Sequence, residues 1–157
     1  MEIRASRGMS MFEIFPFLLI PVLIYNLLAL FSAPQQPGMI EPSLFATLRG
    51  KALSLSMLSG SSLSLNWGDL LLLLSIAFLL VEIVKAPRTS SPSIINHMLS
   101  LGVFILCLIE FLVLRSFASS TFFLLTMMVL LDAMAGMAVT IISARRDFDV
   151  SGGSTGS

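Results

Sequence analysis

Four runs of apolar residues divide the chain, and short polar segments separate them. The runs cover residues 12–32, 69–85, 94–115 and 119–143. Each is close to the length of about 20 residues that an α-helix needs to cross about 30 Å of hydrocarbon. The pattern predicts an all-α membrane protein, a bundle of four transmembrane helices that forms a single domain over residues 1–150.

The first run differs from the other three because it contains an interior proline. Pro21 removes a backbone donor and is expected to bend the helix, leaving a carbonyl near Phe17 without its helical partner. Arg4 and Arg7 ahead of the run also suit a signal peptide, but the run exceeds the apolar stretch of about 7–15 residues typical of such peptides. We therefore expect this segment to be retained as a helix.

The segment at 33–67 is rich in Pro, Gly and Ser and is expected to lie outside the hydrocarbon. Its second half alternates apolar and polar residues on both sides of a Gly/Ser turn, which is typical of a β-hairpin. The apolar face of this hairpin comprises Leu53, Leu55, Met57, Leu63, Leu65 and Trp67. A lone hairpin is marginally stable, so this face needs a cover, which is the rim of the bundle, the lipid interface or another protein. An amphipathic helix over residues 43–58, lying on the membrane, is the competing interpretation.

Composition supports the membrane class and argues against nucleic-acid binding. Hydrophobic residues make up 56% of the chain and charged residues 11%, whereas soluble domains have about 25% charged residues. Nine basic residues balance nine acidic ones, so the chain lacks the positive charge expected of a nucleic-acid partner. The single Cys107 cannot form an intrachain disulfide and is interpreted as a small apolar residue.

The sequence contains no recognisable set of catalytic or metal-binding residues. His97 is the only histidine, so a metal site would lack a second His at ligand spacing. The sequence also has no catalytic nucleophile paired with a general base, no phosphate-binding loop and no cofactor-binding motif. We therefore expect no enzymatic activity, no metal and no cofactor. Residues 151–157 are all Gly, Ser or Thr and are expected to form a disordered tail.

Lysine and arginine in the flanks of the runs predict the orientation of the bundle. One side would carry Arg4, Arg7, Lys85, Arg88, Arg145 and Arg146, and the other Arg49, Lys51 and Arg115. The excess of positive charge predicts that both termini are cytoplasmic and that the hairpin faces the opposite side. The residues expected to contact lipid head groups are Lys85, Arg88, Arg145 and Arg146.

Two acids inside the apolar runs are the clearest candidates for a site. An Asp at the centre of a membrane helix costs about 2.5–3.5 kcal/mol on insertion scales, so Asp132 needs a reason to be there. On the third run a weakly polar stripe is formed by Asn96, Ser100, Cys107 and Glu110. On the fourth, Asp132 shares a face with Gly136, which permits close approach of another helix. If the two faces meet, Glu110 and Asp132 lie together inside the bundle.

Asp132 has three interpretations. It fixes helix packing through a polar contact, it docks a transmembrane helix of a partner, or it joins Glu110 in a path for protons or cations toward Glu82 or Glu13. A conducting path normally needs more polar lining than two acids provide. The structural interpretation is therefore favoured, and the ion path is the alternative.

Three stretches, VEIVKAPRTS, SIINHMLSLGVFILCLIEFL and ARRDF, resemble small bacterial inner-membrane proteins with the same four-helix plan, a group without an assigned activity. The resemblance implies a location in the inner (plasma) membrane and the four-helix topology. From the absence of catalytic groups, the apolar hairpin face and the small-residue face of the fourth run, which carries Gly136, we predict an accessory or scaffold subunit of a larger membrane assembly. Its partners would be the lipid bilayer and a membrane protein, or a second copy of the chain. The alternative is a component of a small proton or cation transporter.

Overall fold

The structure, a computed structural model, describes residues 15–33, 41–85 and 91–152. Five α-helices form most of these ranges. They are α1 (Leu19–Phe31), α2 (Ser43–Arg49), α3 (Trp67–Lys85), α4 (Ser91–Val113) and α5 (Ser120–Gly152). Strands β1 (Lys51–Ser56) and β2 (Ser62–Asn66) lie between α2 and α3, and a 3-10 helix (Arg115–Phe117) connects α4 to α5.

Three of the helices are long and apolar enough to cross a membrane. The candidate spans are Trp67–Lys85 in α3, Ile95–Val113 in α4 and Ser120–Ala138 in α5. The chain is therefore an integral membrane protein with three candidate spans. The predicted first span appears as a shorter apolar helix, because α1 has 13 residues and extends only about 20 Å. Residues 12–14 of that predicted span lie outside the described ranges.

The start of α1 corrects the expectation for Pro21. Because α1 begins at Leu19, this proline lies in the first turn, where its missing N–H removes no interior hydrogen bond. The Phe17 carbonyl accepts a hydrogen bond from the N–H of Ile20 at 3.0 Å. The prediction of an interior proline that strands this carbonyl is therefore wrong.

The three spans alternate in direction. In α4 and α5, His97 lies against Gly136 near one end, and the ring centroids of Phe111 and Phe123 are 5.6 Å apart toward the other. These two pairs place α4 antiparallel to α5. The starts of α3 and α5 meet where Gly68 lies against Thr121. We call this end of the bundle the hairpin end and the opposite end the Lys85 end.

The residues of α1 and its preceding turn contact both ends of the bundle. At the Lys85 end the Phe17 N–H donates to Glu82 of α3. At the hairpin end Tyr25 is fully buried, its ring lies 4.7 Å from that of Phe122, and its hydroxyl donates to the Ser116 carbonyl at 2.9 Å. The first apolar segment is therefore packed along the other helices despite its short helical length.

The predicted hairpin is confirmed, with bounds close to the expected ones. β1 and β2 pair antiparallel, with Leu53 opposite Leu65 and Leu55 opposite Leu63. Gly60 forms the turn at φ 82°, a left-handed conformation that suits glycine. The competing helix over 43–58 is present only as α2, because Gly50 ends it and the alternating residues that follow favour a strand.

Local side-chain contacts explain where the spans begin. Asn66 and Asp69 exchange hydrogen bonds, each side chain accepting from the backbone N–H of the other, as in a capping box at the start of α3. At the start of α5, the Ser119 hydroxyl accepts from the N–H of Phe122 at 3.1 Å and so caps the helix. At its other end α5 continues to Gly152, which includes the first two residues of the segment expected to form the tail. Residues 153–157 lie outside the described ranges.

A buried polar cluster at the Lys85 end

Three polar side chains form a closed cluster at the Lys85 end, which we call the Lys85 cluster: Glu82 and Lys85 of α3 and Asn96 of α4. The Glu82 carboxylate accepts from the Asn96 amide at 2.5 Å and lies 3.0 Å from the Lys85 ammonium. Its second oxygen accepts from the Phe17 N–H at 3.1 Å. Lys85 also donates to the Phe15 carbonyl at 2.8 Å and to Asn96 at 3.2 Å. The cluster thus connects three parts of the chain through charge-assisted hydrogen bonds.

Lys85 is buried, which corrects its predicted role at lipid head groups. Its side chain is only 8% exposed and its ammonium lies 4.7 Å from the centre of the Phe17 ring. The reason is its spacing from Glu82: residues three apart share a helix face, and the face that carries Glu82 packs inward. Of the other predicted head-group residues, Arg88 lies outside the described ranges, and Arg145 and Arg146 lie in α5 with side chains that the structure does not describe.

Asp132 and Ser100 lie beside the Lys85 cluster without belonging to its hydrogen-bond network. The Asp132 carboxyl is 2% exposed and lies next to the Ser100 side chain, within electrostatic range of Glu82 and Lys85. Neither Oδ2 of Asp132 nor the Ser100 hydroxyl oxygen has a hydrogen-bond partner of acceptable geometry among the described residues. Such a buried polar atom is costly and calls for an explanation.

α4 and α5 approach each other closely at His97 and Gly136. His97 is 6% exposed and lies so near Gly136 that a Cβ at this position would overlap the imidazole ring. These two residues are about one helical turn nearer the Lys85 end than Ser100 and Asp132. The absence of a side chain at Gly136 therefore makes room for an imidazole beside the polar residues.

The structure separates Glu110 from Asp132. Glu110 is half-buried and accepts from the Asn26 amide of α1 at 3.2 Å. The antiparallel register of α4 and α5 places it level with about residue 124, which is about 12 Å along the helix from Asp132. The two acids therefore do not meet as expected. In antiparallel helices the residue numbers rise along one helix and fall along the other, so Glu110 and Asp132 lie at different heights. Glu13, a further residue of the predicted path, lies outside the described ranges.

Among the described residues, no group of three His, Cys, Asp or Glu side chains is arranged to hold a metal ion. Sequence reasoning identified Asn96, Ser100, Asp132 and Glu82 but missed the pairing of Lys85, and it missed Asn26 as the partner of Glu110. The spacing of Glu82 and Lys85 was the available signal, since oppositely charged residues three apart can pair on one helix face.

The apolar face of the hairpin, the other candidate site, is largely uncovered at the opposite end. Its side chains Leu53, Leu55, Met57, Leu63 and Trp67 are between 43% and 55% exposed, and Leu65 is half-buried. Trp67 also lines an apolar groove of about 460 Å³ with residues of α1, α2 and α3. Comparison with protein-family models, curated proteins and solved structures finds no match to this chain.

Proposed function

We propose that this protein is a non-enzymatic accessory subunit of a membrane assembly and that the hairpin docks its partner. The observation that carries the proposal is the row of large apolar side chains on one hairpin face, which the described bundle leaves exposed. The opposite face of the same strands is formed by Ser54, Ser56, Ser62 and Ser64. An apolar face of this size outside the spans is typical of an interaction surface.

The partner that suits this surface is a membrane protein with an apolar extramembrane segment. β2 leads directly into α3, so the hairpin lies close to the end of a span and meets partners held in the same bilayer. The sheet has two strands, so each strand has an outer edge whose backbone groups another strand can pair with. Immersion in hydrocarbon would leave these edges and the serine hydroxyls without partners, which argues against lipid alone as the cover.

Photo-crosslinking in native membranes tests the docking face. A photoreactive residue at Leu55 is expected to give a discrete adduct with another membrane protein, because this side chain points into the interface. The matched control places the same residue at Ser54, on the opposite face of β1, where we expect at least tenfold less adduct. Adducts with lipid only, equal adducts from both faces, or adducts only with a second copy of the chain would contradict the accessory role.

The double variant Leu53→Ser/Leu55→Ser tests the same face by affinity. It is expected to lose retention of the crosslinked partner by tenfold or more in mild detergent, because two apolar contacts are replaced by hydroxyls. The control Ser54→Ala/Ser56→Ala changes the other face of the same strand and should keep the partner. Retention that falls equally in both variants would show that the strand, rather than its apolar face, was disturbed.

A second candidate function, movement of protons or cations, is favoured by one observation, the unsatisfied Oδ2 of buried Asp132. The separation of Glu110 from Asp132 counts against a continuous path that uses both. If the protein has this function, vesicles reconstituted with it should show a flux of protons or cations across their membrane. The variant Asp132→Asn should abolish this flux. A wild-type protein without flux, or a variant with unchanged flux, would exclude this function.

A further inference from the structure

Asp132 is a buried carboxyl beside the Lys85 cluster, and it forms no ion pair with another described residue. The charged groups within electrostatic range of it are Glu82 and Lys85 from α3. His97 of α4 lies about one helical turn nearer the Lys85 end, against Gly136. Lys85 already pairs with Glu82 at 3.0 Å and donates to two further oxygens. An ionised Asp132 would therefore leave one uncompensated negative charge in a region of low dielectric, which is strongly unfavourable.

We propose that Asp132 and Ser100 form an internal proton-binding site, in which the folded protein holds an exchangeable proton on the Asp132 carboxyl. Protonation makes the group of Glu82, Lys85 and Asp132 neutral as a whole. The Ser100 hydroxyl beside Asp132 can donate to the ionised carboxylate or accept from the protonated one. The uncompensated charge, rather than this hydrogen bond, is therefore what favours the proton.

The surrounding residues favour a proton over a metal ion. A metal ion needs several converging ligands, and no suitable group of three acidic, His or Cys side chains exists among the described residues. The nearby Glu82 oxygens already accept from Asn96, Lys85 and the Phe17 N–H, so they are engaged rather than available as ligands. A proton requires only the two unsatisfied atoms.

We infer that this proton exchanges through His97, a titratable residue of α4. It lies about one turn nearer the Lys85 end than Asp132 and packs on Gly136, which is on the same face of α5 as Asp132. An imidazole accepts and releases protons near neutral pH and so serves as a relay. This proton site is independent of the docking function proposed for the hairpin. For the second candidate function, movement of protons or cations, it identifies the Asp132 carboxyl as the group that would carry the proton.

Infrared spectroscopy of the full chain in lipid nanodiscs tests the proposal without requiring a flux. At neutral pH we expect a band from a protonated carboxyl, and labelling with carbon-13 aspartate in the wild-type protein should shift this band. The chain has four aspartates, Asp69, Asp132, Asp147 and Asp149, and Asp132→Asn should remove the shifted band. Ser100→Ala should move it to higher frequency, because the acid loses its hydrogen-bond partner. His97→Ala should slow its hydrogen–deuterium exchange by tenfold or more.

Four outcomes would overturn the inference. The first is a wild-type protein with no protonated carboxyl band at neutral pH, and the second is a band that aspartate labelling leaves in place. In the third, the band persists unchanged in Asp132→Asn, which would assign it to another residue. In the fourth, the band appears only when sodium is withdrawn, which would identify a sodium site. The labelling experiment uses the wild-type chain and assigns the band to an aspartate, and the shift expected in Ser100→Ala then assigns it to Asp132 even if Asp132→Asn does not fold.

Discussion

Replacing Lys85 with methionine is expected to lower the free energy of unfolding by about 3–5 kcal/mol, the usual consequence of removing one partner from a buried ion pair. The variant leaves the buried Glu82 carboxylate without the ammonium that lies 3.0 Å away. It also leaves the Phe15 carbonyl and the Asn96 side-chain oxygen without a donor. Reversible unfolding in mixed detergent micelles, followed by the fluorescence of Trp67, the only tryptophan, measures the change.

The matched control is the exposed ion pair of Arg49 and Glu41. Its atoms are closer, at 2.7 Å, but its side chains are 67% and 55% exposed, and exposed pairs contribute about 0–1 kcal/mol. Arg49→Met should therefore have a small effect. If Lys85→Met has an effect as small as this control, the buried pair does not hold the helices together.

A double variant separates the charge of Glu82 from its hydrogen bonds. Glu82→Gln in the Lys85→Met background removes the uncompensated charge and keeps one acceptor oxygen. Because Asn96 and the Phe17 N–H donate to different oxygens of Glu82, the variant retains one of these two hydrogen bonds. We expect it to recover at least half of the stability that Lys85→Met loses, because the largest penalty is the unpaired charge. A further loss in the double variant would mean that the hydrogen-bond geometry of the carboxylate matters more than its charge.

The membrane class of the protein and its hairpin could both be predicted from simple local patterns in the sequence. Runs of about 20 apolar residues predict membrane helices because the bilayer sets one length. Alternation of Leu and Ser on both sides of Gly60 predicts a hairpin because successive strand residues point to opposite faces. Each pattern is local, so it can be recognised without knowing how the helices pack.

The partners inside the bundle were harder to predict because they depend on the register between helices. The stripe of Asn96, Ser100 and Glu110 spans several turns of α4, and sequence alone does not say which turn faces Asp132. Positive charge near a span end suggested a head-group role for Lys85, whereas helix rotation directs it inward toward Glu82. Charge type is visible in the sequence, but the face that a residue presents depends on packing.

The two candidate sites lie at opposite ends of the bundle, which makes them separable by experiment. The hairpin face follows the capped start of α3, and the Lys85 cluster closes its other end. Variants of Leu53 and Leu55 should therefore leave the unfolding free energy of the spans almost unchanged, since distant sites act independently. Loss of partner binding without loss of stability would assign the hairpin to docking alone.

Gly136→Ala is expected to destabilise the protein by about 1–3 kcal/mol, the usual range for an overpacked interior. A Cβ at this position would overlap the His97 ring, with Nδ1 and Cγ as the nearest atoms. Relief requires either a new His97 rotamer or a wider separation of α4 and α5, and the second also disturbs Asp132 and Ser100. Unfolding in mixed micelles gives the stability, and the same change should alter the exchange rate of the Asp132 proton.

Gly102→Ala is the matched control, because Gly102 also lies inside a candidate span and a Cβ there meets nothing within 4 Å. On helix propensity alone, alanine stabilises a helix relative to glycine by about 1 kcal/mol. The two substitutions are therefore expected to differ in sign, since only Gly136 faces another helix closely. In the His97→Ala background the ring is gone, so Gly136→Ala should become neutral or stabilising. A loss that persists without the imidazole would show that Gly136 is required by some contact other than His97, and the close approach of α4 and α5 would then need another cause.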